Sequence, residues 1–328
     1  QNPDSTYHQF LMLSILCGLG GANFASSMTN IAYLYPKKEK GHALALNAGL
    51  GNLGVSAVQF FVPLVITVGI FGGTGQIIGG KEIWLQNAGY IWVPFIAASA
   101  ITAWLFMDDV SVKSSLSDQI VIFKRKHNWI MCLLYGGTFG SFIGFSAGFP
   151  LLANLQFPDV NSLQLAFIGP LVGAIARAGS GWASDRFGGA RVTLGVFAIT
   201  IVATLGIMYF MDLHSFVGFF AVFLILFAAT GIGSASVFQM IPTIFWKEAK
   251  KNLPNASDEE VRKTAERESA AVIGFSSAMG AYGAFFIPKS YGTAISITGT
   301  PNAALITFIL FYAVCLFLTW FYYIRESK

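Results

Sequence analysis

Long apolar runs separated by short polar connections dominate the hydrophobic pattern of this chain. A run of about 20 apolar residues is long enough for a helix to cross a bilayer. The pattern predicts nine membrane-spanning helices, at 9–35, 43–70, 88–107, 128–152, 160–184, 191–211, 215–245, 268–292 and 302–324. The predicted fold class is therefore all-α, in a polytopic membrane protein.

The composition agrees with a membrane protein. Apolar residues make up 55% of the 328 positions and charged residues only 11%, whereas soluble domains carry about 25% charged residues. Cys17, Cys132 and Cys315 all lie in apolar runs, where cysteine is more typical of packing than of a disulfide or a metal site. We expect no cofactor and no metal.

Basic residues fall on alternate connections between the predicted helices. Seventeen of the 20 Lys and Arg residues follow the first, third, fifth, seventh and ninth helices. The positive-inside rule places these connections, and the C-terminus, in the cytoplasm. The net charge of +4 is thus explained by topology, and binding to nucleic acid is not expected.

An internal repeat indicates a larger architecture. Five residues recur at an offset of 210, since Gly21, Ala25, Ser26, Ile31 and Lys37 return as Gly231, Ala235, Ser236, Ile241 and Lys247. The repeat unit is then six helices, and the chain corresponds to a twelve-helix protein without its first three; chance similarity between helices rich in small residues is the alternative. We expect 1–107 to end an N-terminal bundle, 108–127 to be a cytoplasmic linker and 128–328 to form a six-helix C-terminal bundle.

Two glycine-rich stretches lie in predicted helices near opposite ends of the chain. Small residues allow a helix or a small ligand to approach the backbone closely. Asn52 lies among the first set, and its amide needs a partner at membrane depth. Two such stretches in matching halves suggest a substrate path between two repeats. The glycines are Gly49, Gly51, Gly54, Gly280 and Gly283.

Arg177 is the charged residue that lies deepest within a predicted helix. Eight residues separate it from Asp185, which is about 12 Å along a continuous helix. A charge at this depth costs a few kcal/mol and usually marks function. No Asp or Glu falls in the middle of any predicted helix, so a bound anion is the obvious counter-ion. A snorkelling arginine, or a pair with an unseen acidic residue, is the alternative.

The connection after the fifth helix carries a recognisable motif. Its sequence, Gly-Trp-Ala-Ser-Asp-Arg-Phe-Gly-Gly-Ala-Arg at 181–191, resembles the cytoplasmic G-x-x-x-D-R-x-G-R-R loop of the major facilitator superfamily, with Gly189 in place of one basic residue. The segment 35–41 resembles the loop after the fourth helix of that superfamily. These resemblances imply a major facilitator fold and make Asp185, Arg186 and Arg191 candidate gating residues.

The two glycine stretches resemble the signature motifs of the nitrate/nitrite porter family, closest to bacterial antiporters of the NarK type, and 20–28 and 138–149 extend the resemblance. The family implies a monomeric secondary transporter of nitrate and nitrite in the bacterial inner membrane, and not an enzyme. It also implies a second arginine, on a helix that this chain does not contain. The residues that match its anion-binding positions are Arg177, Asn52 and Tyr135, and those that match its aromatic walls are Phe24 and Phe139.

The residue chemistry is consistent with this implication. The guanidinium of Arg177 is planar and permanently charged, so it suits a planar oxyanion. A proton symporter normally needs a titratable group at membrane depth, and the predicted helices offer none, which favours exchange of one anion for another. Proton-coupled nitrate symport and transport of another small anion are the alternatives. An anion channel would need a continuous polar lining, and a membrane enzyme a cluster of reactive groups; the sequence indicates neither.

A capping-box pattern lies in the longest polar segment. Ser257 followed three residues later by Glu260 predicts the start of a helix. We expect a solvated cytoplasmic connector there, feeding a short amphipathic helix, rather than a surface for docking a partner protein.

Overall fold

The computed structural model describes residues 6–35, 37–107 and 120–325. In these residues α-helices follow one another along most of the chain. They are α1 (Tyr7–Leu34), α2 (Lys37–Val65), α3 (Asn87–Tyr90), α4 (Val93–Phe106), α5 (Lys126–Tyr135), α6 (Ser141–Gln156), α7 (Ile168–Gly179), α8 (Gly181–Phe187), α9 (Gly189–Asp212), α10 (Phe216–Asn252), α11 (Asp258–Ala281), α12 (Gly283–Thr298) and α13 (Asn302–Thr319). Short 3₁₀ turns cover Val121–Lys124 and Ser162–Gln164, and a π-helical turn covers Trp320–Arg325.

The described part of the chain contains nine candidate membrane spans, and each overlaps one predicted from the hydrophobic pattern. Three of these spans are built from two α-helices. Ile91 and Trp92 separate α3 from α4, a π-helical turn at Gly136–Gly140 joins α5 to α6, and Tyr282 separates α11 from α12. The helical class and the nine spans predicted from the sequence are confirmed.

Helices α5 to α7 and α9 to α13 pack around an aromatic core. Phe142, Phe145, Phe149 and Phe223 are fully buried there, and Phe145 meets Phe223 edge to face, with ring centroids 5.8 Å apart. Because lipid is as apolar as these side chains, close packing rather than exclusion of water holds such helices together.

Helix α2 joins the first part of the chain to the aromatic core, because it packs along α7. Helix α1 lies against α2 and α11. Every residue of α4 is exposed in the described part of the chain, and this helix packs against α3.

A short hairpin follows α2 and adds two β-strands to a mainly helical fold. Strands β1 (Gln76–Ile78) and β2 (Lys81–Ile83) pair antiparallel, with Ile78 opposite Lys81. Gly79 and Gly80 form the two-residue turn and both have positive φ, +59° and +78°, as a type I′ turn requires. The all-α prediction did not include this hairpin, although Gly-Gly between two isoleucine-containing runs is its usual signal.

Two details of the predicted helices differ in the structure. The run predicted at 160–184 is interrupted at Ser180, between α7 and α8, so the distance expected for a continuous helix does not apply between Arg177 and Asp185. Ser257 does cap α11, and its capping box with Glu260 is complete. The predicted short amphipathic helix is instead the first part of α11, which continues without a break to Ala281.

Candidate functional site

The site is centred on Arg177, in the last turn of α7. Its side chain is 1% exposed, and Nη2 donates a hydrogen bond to the hydroxyl of Tyr135 at 3.1 Å. Nε and Nη1 have no hydrogen-bond partner among the described residues. In that part of the chain no carboxylate pairs with Arg177 either. The site therefore holds a buried positive charge whose Nε and Nη1 donors are still available.

Three aromatic rings surround this charge, and we call Phe139, Tyr135 and Phe238 the aromatic clamp. Tyr135 lies in the middle, stacked on Phe238 with centroids 4.3 Å apart and on Phe139 with centroids 5.1 Å apart. The guanidinium carbon of Arg177 lies 5.4 Å from the Phe139 centroid and 5.6 Å from that of Phe238. Aromatic faces attract a cation at these distances, so the clamp fixes the orientation of Arg177.

Local backbone structure places the clamp. The π-helical turn at Gly136–Gly140 begins directly after Tyr135 and contains Phe139, and such turns are often found at functional sites. Gly280 lies against the two rings, since a Cβ there would be 2.9 Å from Cδ1 of Tyr135 and 3.1 Å from Cδ1 of Phe139. Only glycine fits at this position without moving the clamp.

The other glycine of the second motif brings backbones together. A Cβ on Gly283 would collide with the Gly140 carbonyl, and one on Gly144 would lie 2.5 Å from the carbonyl of Gly283. The π-helical turn and the start of α12 therefore touch backbone to backbone. The second glycine motif thus packs directly behind the clamp.

The first glycine motif packs against the helix that carries Arg177. A Cβ on Gly49 would lie 2.8 Å from the Cβ of Ala178 and 3.0 Å from its Cα. A Cβ on Gly51 or Gly54 would meet nothing within 4 Å among the described residues. The close approach that the motif predicted thus occurs at Gly49.

Asn52 lies one turn beyond Gly49 on α2. It is 7% exposed, and its amide nitrogen has no hydrogen-bond partner in the part of the chain that the structure describes. It makes no hydrogen bond to Arg177 within that part. A buried amide with an unused N–H is costly unless a ligand satisfies it.

A cavity of about 920 Å³ leads away from Arg177. Arg177 and Phe238 lie at its inner end, with Ala48 and Met28 on the walls. The C-terminal ends of α8 and α10 surround its mouth, with Asp185, Gly188, Lys247 and Lys251 among the lining residues. The mouth therefore lies at the end of the bundle that carries the basic connections. The cavity is large enough for a small anion to reach Arg177 from that end.

The predicted gating residues lie at or beside this mouth. Asp185 lines the cavity and accepts a hydrogen bond from Nε2 of Gln239 at 3.5 Å. Arg186 lies over the ring of Phe187, and Arg191 is exposed. Gly188 has a φ of +86°, a left-handed conformation that favours glycine and that lets the chain turn from α8 into α9.

The structure brings some of the predicted binding residues together and not others. Tyr135 and Phe139 contact Arg177, whereas no ring contact or cation–π contact joins Phe24 to it in the described ranges. Phe238 was missed by the sequence analysis. A signal was present, because the offset of 210 pairs Phe238 with Met28, and both residues line the cavity.

Comparison with known proteins is consistent with this site. The sequence model of the Major Facilitator Superfamily matches residues 3–254. The chain is 47% identical to the nitrate/nitrite transporter NarU of Escherichia coli (strain K12), with all of this chain and 73% of that protein aligned. It is 38% identical to the probable nitrate/nitrite antiporter NarK2 of Thermus thermophilus, with the same coverage. The nitrite extrusion protein of Bacillus subtilis (strain 168) is 26% identical, over 86% of this chain and 63% of that protein.

Proposed function

Because the chain belongs to the major facilitator superfamily and, within it, to the nitrate/nitrite porter family, we propose that it exchanges nitrate for nitrite across the bacterial inner membrane by alternating access. The chain is a multi-pass membrane transporter and not an enzyme. The relatives named above are transporters of nitrate, nitrite or both. We propose that it acts as a monomer, since one chain supplies both the cavity and the clamp.

One observation carries the proposal, the buried charge of Arg177 with N–H groups that no described residue uses. Leaving a buried charge unpaired is strongly destabilising, so the site is suited to an anion that completes it. A planar oxyanion fits the planar donor. Tyr135 is covered on both faces by the other clamp rings, so the anion lies at the edge of the guanidinium and not between those rings.

The other site residues are assigned by their position. Asn52 supplies a neutral N–H for an edge of the anion, and Phe24 lies on α1 where it forms a wall once the carrier closes around its substrate. Tyr135 holds Arg177 by its hydroxyl and Phe139 holds it by its face. These roles combine what the family resemblance implies for each residue with the geometry described above.

We propose that the cavity opens to the cytoplasm. Its mouth lies beside the connections that carry most of the basic residues, and the positive-inside rule assigns those connections to the cytoplasm. The C-terminus lies on the same side. The conformation described is then open to the cytoplasm and closed to the outside.

The pairing of Glu268, the most buried acidic side chain in the described part of the chain, favours exchange over proton symport. Glu268, which is 2% exposed, is held by Arg125 in a bidentate ion pair with N–O distances of 2.8 and 3.1 Å. Because this ion pair holds the Glu268 carboxylate, Glu268 is not available as a proton carrier. An empty carrier would have to move the uncompensated charge of Arg177 through the bilayer, which also favours exchange.

Transport by the full-length protein in liposomes tests this proposal. We expect nitrate uptake into vesicles loaded with nitrite and little response to an imposed proton gradient. Uptake into empty vesicles that strictly requires a proton gradient would establish symport instead. If nitrate enters under neither condition while another small anion does, the proposed substrate is wrong.

A further inference from the structure

Helix α2 presents one polar face to the C-terminal helices. Gly49, Asn52, Ser56 and Gln59 follow one another at spacings of three, four and three residues, which places them on the same side of a helix. Ala48 lines the cavity at one end of this face. The face then runs away from the cavity mouth, so Ser56 and Gln59 lie toward the closed end.

Two hydrogen bonds join the closed end across the helix interface. The hydroxyl of Ser56 donates to the carbonyl of Phe167 at 2.8 Å, and Nε2 of Gln59 donates to the carbonyl of Ser146 at 2.8 Å. Phe60 adds an edge-to-face contact with Phe167, with ring centroids 4.9 Å apart. Both hydrogen bonds run from side chains of α2 to backbone on the other side, so they must break if the helices separate there.

The carbonyl of Ser146 is available because of a proline. Within α6 it would normally accept from the N–H of residue 150, which is Pro150 and has no N–H. In α2 the same relation holds, since Pro63 follows Gln59 by four residues. Each helix therefore has a proline one turn beyond the contact, where bending is easiest.

Packing alone does not explain a glutamine at position 59, because burying its polar amide costs free energy. It is half-buried, and its Oε1 has no hydrogen-bond partner among the described residues. An apolar side chain would fill the same space without an unsatisfied polar atom. A single hydrogen bond to a carbonyl that lacks its helical donor is suited instead to a contact that breaks and forms again.

We propose that the hydrogen bond from Gln59 to the Ser146 carbonyl is the latch that holds this transporter closed at the end opposite the cavity mouth. The Ser56 bond assists it, and breaking both is a step in opening to the other side. Gln59 is a positioning residue and does not touch the substrate. This inference rests on the proposed function, because a latch has a role only in a carrier with two open states.

Accessibility of a thiol at the interface measures the latch directly. The full-length protein carries Ser146→Cys as a reporter, which keeps the backbone carbonyl that Gln59 uses, and Cys17→Ser to remove the exposed native cysteine. A membrane-impermeant thiol reagent is applied from outside, with Gln59→Met as the test and Val58→Met, on the exposed neighbour, as the matched control. Because the reporter is common to all three proteins, differences in labelling rate report on residue 59.

We expect Gln59→Met to raise the labelling rate roughly tenfold, the factor that corresponds to about 1.4 kcal/mol, within the range for one hydrogen bond, and Val58→Met to leave it unchanged. Pro150→Ala should also raise the rate, since it restores an N–H to the Ser146 carbonyl inside α6. The two changes together should give less than the product of their separate effects, because both act on one bond.

The latch is overturned if labelling is the same in Gln59→Met and in the Val58→Met control. It is also overturned if the Gln59 and Pro150 changes multiply, since they would then act independently. Labelling needs no substrate, so this result is separate from the test of the proposed function. If nitrate is exchanged but labelling is unchanged, only the latch proposal is wrong. If labelling changes but no nitrate is transported, only the proposed substrate is wrong.

Discussion

At the scale of single residues, Arg177 is held in place rather than reaching for the membrane surface. Snorkelling would leave its guanidinium exposed, whereas the side chain is 1% exposed and lies over the Phe139 and Phe238 rings. The Tyr135 hydroxyl fixes one of its nitrogens. The position of Arg177 thus depends on a planar guanidinium that can both stack on aromatic rings and donate hydrogen bonds.

Replacement of Arg177 by lysine separates charge from shape. Arg177→Lys keeps the positive charge but loses the planar fork and the stacking. We expect the apparent affinity for nitrate to fall about 10- to 100-fold, since charge-assisted hydrogen bonds are worth about 1.5–3 kcal/mol. Nitrate binding to the purified full-length protein measures this, with Arg262→Lys, an exposed residue of α11, as control. Normal binding by Arg177→Lys would show that only the charge matters.

At the scale of the helices, α2 and α7 are joined through Gly49. The space at this glycine is filled by Ala178, the neighbour of Arg177. Any side chain at position 49 must push the two helices apart or shift Arg177. Gly51 lies on the same helix, two residues away, with open space around its α-carbon in the described part of the chain.

These two glycines provide a matched pair of variants. We expect Gly49→Ala to destabilise the protein by about 1–3 kcal/mol, the usual cost of overpacking, and to reduce nitrate exchange. Gly51→Ala should have a smaller effect on both. Thermal unfolding in detergent and uptake into liposomes measure the two quantities. Equal effects of the two variants would mean that the contact with Ala178 does not limit the size of the side chain at position 49.

The helices of this fold could be predicted more fully than the site. The nine spans depend on the length and hydrophobicity of each segment alone, and Arg177 could be identified because charge is rare at that depth. The break at Ser180 and the π-helical turn depend on which backbone segments pack against α7 and α5 in the folded protein. The stacking of Phe238 on Tyr135 and the use of the Ser146 carbonyl by Gln59 join residues far apart in the chain, and one sequence does not record such pairings.

At the scale of the whole molecule, the end of the 108–127 segment is anchored to α11. Arg125 and Glu268 form an ion pair, and the hydrogen bonds that Arg125 donates to the Glu268 carboxylate raise the pKa of Arg125. A raised pKa in a base means that its contribution to stability is lost only as the pH rises through that value. Because this lies far above neutrality, the anchor stays intact throughout the physiological range.

The orientation of the molecule can be tested by labelling from outside. Single cysteines at Thr74 and Asp159 should react with an impermeant thiol reagent in intact cells. Cysteines at Lys124 and Asn255 should react only after the membrane is permeabilised, because the basic connections are assigned to the cytoplasm. All four positions are exposed in the structure. Labelling of Lys124→Cys in intact cells would reverse the orientation and the assignment of the cavity.

The burial of Arg177 has a consequence for which ions can compete at the site. An anion that reaches a guanidinium held among aromatic rings must first give up its shell of water, and arginine is itself weakly hydrated. Ions that lose water easily therefore hold an advantage whatever their exact shape, and strongly hydrated sulfate or phosphate is kept out without any steric barrier. Dehydration acts as the first filter, and the planar fit chooses only among the ions that pass it.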